Sequence, residues 1–261
     1  MLLREFDLKL INILGTELIG QPVSNNSYNI LIKESSFINL EKHKPIVYLD
    51  LNHQKFDELV PLLEKLEFQK STRKTLGDRN ESILFGAVTA KINHDNFCNV
   101  GATILRSPKL NQLLKIKYST IANEIMKTYL EQWQKIGMSV FKKSGIHTDW
   151  QMADTFWTSG IINKNSPHNF HLDNDNSRNG YSAMITLKHN MSGGYIVFPE
   201  YALAVEVSNR SLIFFCGKDI VHGVSDINLK KGGFRYSMVY YTTADLKYCD
   251  SYANEMKKAE I

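Results

Sequence analysis

Two histidines and one aspartate in the C-terminal half have the residue types and the spacing of a metal site. His171 and Asp173 are separated by one residue within NFHLD, a short run that we interpret as a strand. Because side chains two apart in a strand point to the same face, the imidazole and the carboxylate would be presented together. His222 follows in a second apolar run, DIVHGV. Two histidines and one carboxylate form the facial triad that holds non-haem iron(II) and leaves the other coordination positions open.

A basic residue and a hydroxyl lie further along the chain, at the start of the run RYSMVYY. Arg235 and Ser237 are two apart in this predicted last strand and therefore share a face. A guanidinium beside a hydroxyl is suited to binding a carboxylate, such as the distal carboxylate of 2-oxoglutarate. An arginine buried there without a partner would be costly, so a ligand is expected to complete it. The alternative is that Arg235 is an exposed strand residue following the Lys230-Lys231 turn.

The strands that must position these residues are predicted from the pattern of short apolar runs and turn residues after about residue 155. Eight short apolar runs occur there with glycine- and asparagine-containing turns between them, which is typical of an antiparallel jelly-roll or barrel. The turn residues that supply positive φ angles are expected at Asn179-Gly180, Gly193-Gly194 and Lys231-Gly232-Gly233. The eight runs are TFWTSGIIN, NFHLD, YSAMITL, GGYIVF, LAVEV, SLIFFC, DIVHGV and RYSMVYY.

The N-terminal part combines helical and strand patterns. Apolar residues recur at helical spacing over 54–67, where Pro61 would kink or delay the helix, and over 119–141. IVYLDL (46–51) and ILFGAVTAKI (83–92) are predicted strands. We therefore expect an α+β fold: a region over 1–145 that packs on a core over 146–261, the two forming one integrated domain.

Several segments between Thr158 and Tyr241 resemble one family. They are IINKN (161–165), HLDNDN (171–176), GGYIVFPEYALAVEV (193–207), IFF (213–215), DIVHG (219–223) and RYSMVYY (235–241). Together they resemble the double-stranded β-helix core of the 2-oxoglutarate oxygenases. Within that superfamily they are most similar to the TET and J-binding-protein group, which oxidises the methyl group of thymine or 5-methylcytosine in nucleic acid.

The GG-x4-PEY block is more specific for this group than the triad is, and the N-terminal half matches only through segments such as RNESILFG (79–86). The chain departs from the family at two turns. Ser208-Asn209-Arg210-Ser211 replaces a common Pro-Gly-Asp turn, and Ala202 stands where a glycine is common. Neither change removes a metal ligand.

The resemblance implies a set of ligands and roles. Iron(II) would be bound by the triad, 2-oxoglutarate would be the cosubstrate and dioxygen the oxidant. Nucleic acid would be the substrate, and a base in a duplex would have to be flipped out of the stack to reach the metal. The residues for these roles are Arg235, Ser237, Lys164 and Asn165 for the cosubstrate, and Phe170, Asn174, Tyr181 and Tyr201 for the substrate. The alternative for the three aromatic residues is that they belong to the core.

The remaining histidines are predicted to lie outside the metal site. His168 is three residues before His171, an offset that points to the opposite face of a strand. His189 falls in a predicted turn. His43, His53, His94 and His147 have no partner at a ligand-like spacing, so we interpret them as structural or exposed.

Composition restricts the setting of the protein. Of 261 residues 43% are hydrophobic and 22% charged, with a formal net charge of +4, as in an ordinary globular protein. No apolar run is long enough to span a membrane, and charged residues interrupt the N-terminal leucines, so we expect an intracellular protein that is not secreted. Three widely spaced cysteines argue against a disulfide framework and favour a reducing compartment. Oligomeric state is not specified, and a monomer is favoured.

Three other functions stay open at the level of sequence. The same iron chemistry would also serve a hydroxylase of a protein side chain or of a small metabolite. A catalytically silent barrel would act as a binding module, although the intact triad and Arg235 argue against loss of activity. A cupin-like zinc or manganese protein would need no arginine for 2-oxoglutarate and commonly uses more histidines.

Overall fold

A computed structural model of the protein describes residues 3–52, 54–70 and 81–260. His53 and the first two residues of RNESILFG lie outside these ranges. The strands are β1 (Arg4–Leu8), β2 (Ile30–Ile32), β3 (Ser36–Leu40), β4 (Ile46–Asp50), β5 (Gln69–Lys70), β6 (Glu81–Val88), β7 (Asn99–Val100), β8 (Ser159–Lys164), β9 (His168–His171), β10 (Ser182–Gly193), β11 (Ile196–Phe198), β12 (Leu203–Val205), β13 (Ser211–Phe215), β14 (His222–Val224) and β15 (Ile227–Tyr241). The α-helices are α1 (Val60–Leu63), α2 (Ala90–Asn93), α3 (Thr103–Arg106), α4 (Pro108–Gln112), α5 (Ser119–Tyr129), α6 (Glu131–Lys143) and α7 (Tyr252–Lys258).

The strands form two sheets whose inner faces share a core. The larger sheet has the order β1-β3-β4-β13-β10-β15-β8-β6-β5, with β7 paired to β6, and the smaller has the order β2-β12-β11-β14-β9. Each of the eight predicted C-terminal runs contains one strand, and these strands divide equally between the sheets. Buried residues of both sheets, such as Ile213 and Leu203, belong to one apolar cluster. The expected α+β fold with a double-stranded β-helix core is confirmed.

Left-handed backbone occurs at positions where the sequence predicts turns, although the predicted turn at Lys231-Gly232-Gly233 lies inside β15 and not between two strands. Asn179, Gly193, Gly194 and Gly232 all have positive φ angles. The two positions that depart from the family pattern are also left-handed, with φ of 47° at Ala202 and 60° at Arg210. These turns keep the backbone that glycine would favour while carrying other side chains.

Contacts from the N-terminal half extend both sheets. Strand β4 pairs antiparallel with β13, and β2 pairs parallel with β12. The largest apolar cluster joins residues of both halves, including Leu59, Met126 and Leu212. The boundary expected near residue 145 therefore does not separate two cores.

Both predicted helical regions are interrupted. A 3-10 helix over Gln54–Leu59 precedes the short α1, in which Pro61 occupies the first turn. Residues 119–141 fall in two helices that meet at Leu130, whose backbone leaves the helical region with φ −138° and ψ 40°. No proline or glycine marks that break. A buried hydrogen bond from Gln134 Nε2 to Asn123 Oδ1 joins the two helices.

The prediction from cysteine spacing, which argued against a disulfide framework, was wrong for one pair. Cys98 and Cys249 form a disulfide between residues 151 positions apart, and Cys216 is free and buried. Their proximity comes from the fold, because β7 follows Cys98 and packs against α7. The cysteines therefore give no support for a reducing compartment. None of the helices in the described ranges is long and apolar enough to cross a bilayer.

Candidate metal centre

The triad is assembled by strand pairing. His171 ends β9 and His222 begins β14, and the two residues are direct partners in the antiparallel register. Asp173 follows β9, and its backbone N–H donates to the Gly217 carbonyl at 2.9 Å. The Asp173 carboxylate lies 3.7 Å from His171 Nε2 and 3.9 Å from His222 Nε2. One ligand atom from each of the three residues lies within 4.8 Å of the others, which is the arrangement of a three-residue metal site.

Backbone carbonyls orient both imidazoles. His171 Nδ1 donates to the Asn169 carbonyl at 2.8 Å, and His222 Nδ1 donates to the Ile220 carbonyl at 3.1 Å. When Nδ1 carries the proton, Nε2 of each ring is unprotonated, and its lone pair is on the side of the ring near Asp173. Burial, with a smaller effect from neighbouring His171, lowers the pKa of His222 to about 4. Its ring is therefore neutral at neutral pH, the form that binds a metal.

A cavity of about 240 Å³ opens at the triad, and we call it the triad cavity. Its polar side consists of the triad, His168 and a run of side chains after Asp173. Its apolar side comes from both sheets and from Ile92. The lining residues are Ile92, Ile161, Asn163, His168, His171, Leu172, Asp173, Asn174, Asp175, Asn176, Met184, Ile196, Phe215, His222, Val224, Val239 and Tyr241.

Arg235 is buried in the larger sheet with most of its guanidinium unpaired. The residue is 1% exposed, and its Nη1 lies 3.5 Å from Ser237 Oγ. Its Nε and Nη2 have no hydrogen-bond partner in the part of the chain that the structure describes. Burial lowers the pKa of Arg235 to about 10, so the group stays charged at neutral pH. A buried cation without a partner indicates a site for an anion.

Thr186 places a second unpaired donor beside this arginine. The residue is fully buried, and its Oγ1 has no partner among the described residues. It lies opposite Ser237 in the β10–β15 register, and Asn163 lies opposite Ser237 on the other side. We call Arg235, Ser237 and Thr186 the anion pocket. Sequence reasoning missed Thr186, although its place in the strand YSAMITL would point to it once the register is known.

The fold of this chain is similar to that of several solved structures. A structure of NgTET1 in complex with 5mC DNA is similar to 89% of this chain and 90% of its own, with a TM-score of 0.57 and 18% sequence identity. The chain has the fold of the 2-oxoglutarate/iron(II) oxygenases. A 2OG-Fe(II) oxygenase family protein from Burkholderia pseudomallei matches 76% of this chain and 85% of its own, at a TM-score of 0.46 and 15% identity. A collagen prolyl hydroxylase from Paramecium Bursaria Chlorella virus-1 matches 31% of this chain and 56% of its own, at 0.26 and 13%. No protein-family model and no curated protein sequence matches the chain.

Two residues expected to bind the cosubstrate of this oxygenase fold lie elsewhere. Lys164 is outside the triad cavity, and its Nζ lies 5.4 Å from the centre of the Phe68 ring. Its neighbour Asn163 lines the cavity instead, because adjacent residues of β8 point to opposite faces. Asn165 adopts a left-handed turn with φ 48°, and its Oδ1 accepts from the Arg235 N–H at 2.7 Å. Asn165 thus positions the backbone of Arg235.

The three aromatic residues proposed to stack on a base are part of the core, so that expectation is corrected. Phe170, Tyr181 and Tyr201 are each 1% exposed, and none of them lines the triad cavity. The Tyr181 hydroxyl donates to the Pro45 carbonyl, and the Tyr201 hydroxyl contacts His43 Nδ1 at 2.7 Å. Because all three rings are buried and lie outside the triad cavity, they offer no exposed stacking surface there.

His168 and Asn174 both lie at the cavity. His168 does not point away from the site as expected, since it lines the cavity with its ring centre 5.8 Å from that of His171, but it is not part of the cluster of three ligand residues. A shift in the β9–β14 register between His222 and Val224 changes the alternation that a regular strand would impose. Asn174 is exposed and lines the mouth of the cavity, where a substrate would pass.

Proposed function

We propose that this protein is an iron(II)- and 2-oxoglutarate-dependent dioxygenase. It hydroxylates a C–H bond, and the substrate we propose is the methyl group of 5-methylcytosine or thymine in nucleic acid. The observation that carries the proposal is the unpaired, buried guanidinium of Arg235 in the same barrel as the triad.

The triad fits iron(II) by its donor set. His171 and His222 would each offer a neutral Nε2, and Asp173 would offer a carboxylate oxygen. Two imidazoles and one carboxylate on one side of a metal leave the remaining positions to a cosubstrate and dioxygen. The backbone carbonyls that accept from both Nδ1 atoms would hold the rings in place when the metal binds.

The anion pocket fits the distal carboxylate of 2-oxoglutarate. Arg235 would donate from Nε and Nη2, which have no partner in the described structure. Thr186 and Ser237 add hydroxyl donors from two adjacent strands. A carboxylate would therefore satisfy three polar groups that are otherwise buried at a cost.

The chemistry that the bound iron and cosubstrate would supply is oxidation of a substrate C–H bond by dioxygen, coupled to decarboxylation of 2-oxoglutarate to succinate. The chain's part would be to bind the cosubstrate between the triad and the anion pocket, whose three residues are not among those that line the triad cavity. Apolar side chains such as Met184 and Val239, which do line it, would exclude water. Support for a methylated base comes from the likeness to NgTET1, whose structure contains 5mC DNA, over nine-tenths of both chains.

Anaerobic titration with iron(II) and 2-oxoglutarate tests the chemistry. The chelate should give a weak visible metal-to-ligand absorption band in the wild type. His222→Ala should lose the band, and Arg235→Met should require at least about tenfold more 2-oxoglutarate, since a charge-assisted contact is lost. His189→Ala, which changes an exposed histidine outside the cavity, is the matched control and should titrate as the wild type does.

Substrate screening then tests the methylated base. Formation of hydroxymethylated pyrimidine and succinate in equal amounts from methylated oligonucleotides supports the proposal. A wild type without the absorption band at saturating cosubstrate refutes the dioxygenase. A band with hydroxylation of peptides or metabolites only refutes the nucleic-acid substrate.

A further inference from the structure

A second cavity of about 260 Å³ adjoins the triad cavity. The two share Ile92 and Asp175 in their linings, so the cavities lie next to each other. The residues that line the second cavity are Thr89, Lys91, Ile92, His94, Asp175, Thr243 and Asp245.

The walls of the second cavity are held together by the fold. One wall is the connection between β6 and β7, which carries Thr89, Lys91 and His94. The other includes the segment after β15, in which Thr243 Oγ1 donates to Ser159 Oγ at 2.8 Å. The Cys98–Cys249 disulfide joins the far end of the β6–β7 connection to this segment. The disulfide therefore links the two segments that form the walls.

The two walls present unlike polar groups. Thr89 is 5% exposed, and no hydrogen bond occupies its hydroxyl in the described chain. Lys91 on the same wall and Asp245 on the opposite wall are both exposed, and neither forms an ion pair within those ranges. A ligand that contacts both walls would donate to the Asp245 carboxylate and accept from the Thr89 hydroxyl and the Lys91 ammonium. Sugar hydroxyls do both, and carboxylates commonly bind ribose hydroxyls.

We propose that the second cavity binds the ribose and phosphate of the target nucleotide, so that the substrate is RNA; this rests on the proposed function. Asp245 accepts from the 2′-hydroxyl, Thr89 donates to a sugar oxygen, and Lys91 contacts the phosphate. The base, covalently attached to that ribose, occupies the triad cavity. Deoxyribose lacks the hydroxyl that Asp245 requires, and the 2′-hydroxyl is what distinguishes RNA from DNA at such a site.

Fluorescence anisotropy of labelled single-stranded 9-mers tests this selection. RNA and DNA of one sequence, each with a central 5-methylcytosine, are titrated with full-length protein, anaerobically with iron(II) and 2-oxoglutarate and again without metal. Wild type should bind the RNA roughly tenfold more tightly, the effect of one hydrogen bond to a charged group. Asp245→Asn should weaken RNA binding by a similar factor and leave DNA binding unchanged.

Two further variants separate the contributions of the walls. Thr89→Val, nearly equal in volume, should also reduce the preference for RNA. Lys91→Met should weaken both ligands and lower the slope of log affinity against log salt by about one. Asp154→Asn, an exposed aspartate that lines neither cavity, is the control and should change nothing.

Equal affinity for RNA and DNA, tighter binding of DNA, or binding of neither would overturn the inference. A preference for RNA that survives in Asp245→Asn would also refute it, since the selection would then come from elsewhere. The result is independent of the chelate titration. A protein that selects RNA without forming the chelate loses the proposed function alone, and one that forms the chelate without selecting RNA loses this inference alone.

Discussion

At the scale of single residues, the position of Asp173 depends on the absence of a side chain at Gly217. A Cβ built on Gly217 would lie 2.1 Å from Asp173 Oδ2 and 3.1 Å from His222 Cε1. The backbone there does not require glycine for its φ angle, so the close approach alone explains the residue. Gly217 thus leaves room for the carboxylate between the two imidazoles.

Gly217→Ala should therefore impair the metal site while the protein still folds. The Asp173 carboxylate must rotate away from the new methyl group, and misplaced metal ligands typically cost tenfold to a hundredfold in affinity. Anaerobic titration with iron(II), beside a thermal melt, measures both effects. Gly180→Ala, whose Cβ would meet its nearest neighbour at 3.2 Å, is the control. Unchanged iron affinity in Gly217→Ala would show that Asp173 is not a ligand.

Arg235 offers a second test at this scale, because an unpaired buried charge destabilises the protein that holds it. Arg235→Met should raise the free energy of unfolding of the cosubstrate-free protein by about 2 kcal/mol, since a guanidinium without a partner is replaced by an apolar group. Added 2-oxoglutarate should stabilise the wild type and leave the variant unchanged. Urea unfolding with and without 2-oxoglutarate measures both effects.

Arg210→Met is the matched control, with the opposite sign expected. Arg210 Nε and Nη2 donate to the Asp57 carboxylate at 2.7 Å each, so its removal should destabilise the protein. If Arg235→Met were as destabilising as Arg210→Met, the guanidinium would have a partner within the fold, and the anion pocket would be refuted.

The site residues that can be recognised from sequence are those that the two-residue alternation of a strand places on one face. His171, Asp173, Arg235 and Ser237 are recognisable because alternation places each pair on one face. Thr186 was missed because its neighbours are set by the cross-strand register, which a single sequence does not give. His168 was misplaced because a register shift breaks the alternation.

At the scale of elements, the C-terminal helix α7 is attached to β7 through one buried carboxylate. Glu255 accepts from the Cys98 N–H at 2.7 Å and from the Asp250 N–H at 2.8 Å. Lys258 Nζ also donates to it at 2.6 Å. Burial of the carboxyl group acts to raise the pKa of Glu255. The hydrogen bonds together lower the pKa by more than burial raises it, so the pKa lies below its ordinary value.

Glu255→Gln should lower the free energy of unfolding at pH 7 by about 2 kcal/mol, the contribution of hydrogen bonds to a charged group. Because the folded pKa lies below the unfolded value of about 4.3, this stabilisation is present above pH ~4.3 and is lost as pH falls through the folded pKa. Wild type and variant should therefore converge in acid. Denaturant unfolding between pH 3 and pH 7 measures the difference.

Glu131→Gln is the control for this pH dependence. Glu131 forms an exposed pair with Lys135 one helical turn away, and such pairs contribute little. A constant difference between Glu255→Gln and wild type across the pH range would contradict the assigned role of the Glu255 charge.

The elements that the sequence predicted are those whose pattern is local. Eight C-terminal runs became eight strands because turn residues bound them and apolar residues fill both sheet interiors. Strands β1 to β3 were not predicted. Strand β1 is stabilised by parallel pairing with β3 and strand β2 by parallel pairing with β12, and these partners are distant in sequence. The break at Leu130 was also missed, because tertiary contacts between α5 and α6 set it without a helix-breaking residue.

At the scale of the whole molecule, the N-terminal half extends both sheets and supplies one wall of the second cavity. Ile92 lines both cavities from the β6–β7 connection, while the triad comes entirely from the C-terminal half.

The Cys98–Cys249 disulfide connects these two halves across 151 positions of sequence. Closing a loop of that length restricts the unfolded chain, so reduction should lower the free energy of unfolding by about 3–5 kcal/mol. Guanidinium unfolding with and without reductant measures the loss. Cys249→Ser should unfold at the midpoint of the reduced wild type and be insensitive to reductant. Cys216→Ser, which removes the free thiol, should keep the wild-type response. Three titratable thiols in the unfolded wild type without reductant would show instead that Cys98 and Cys249 are not bonded, and the two segments that form the walls of the second cavity would then lack this covalent link.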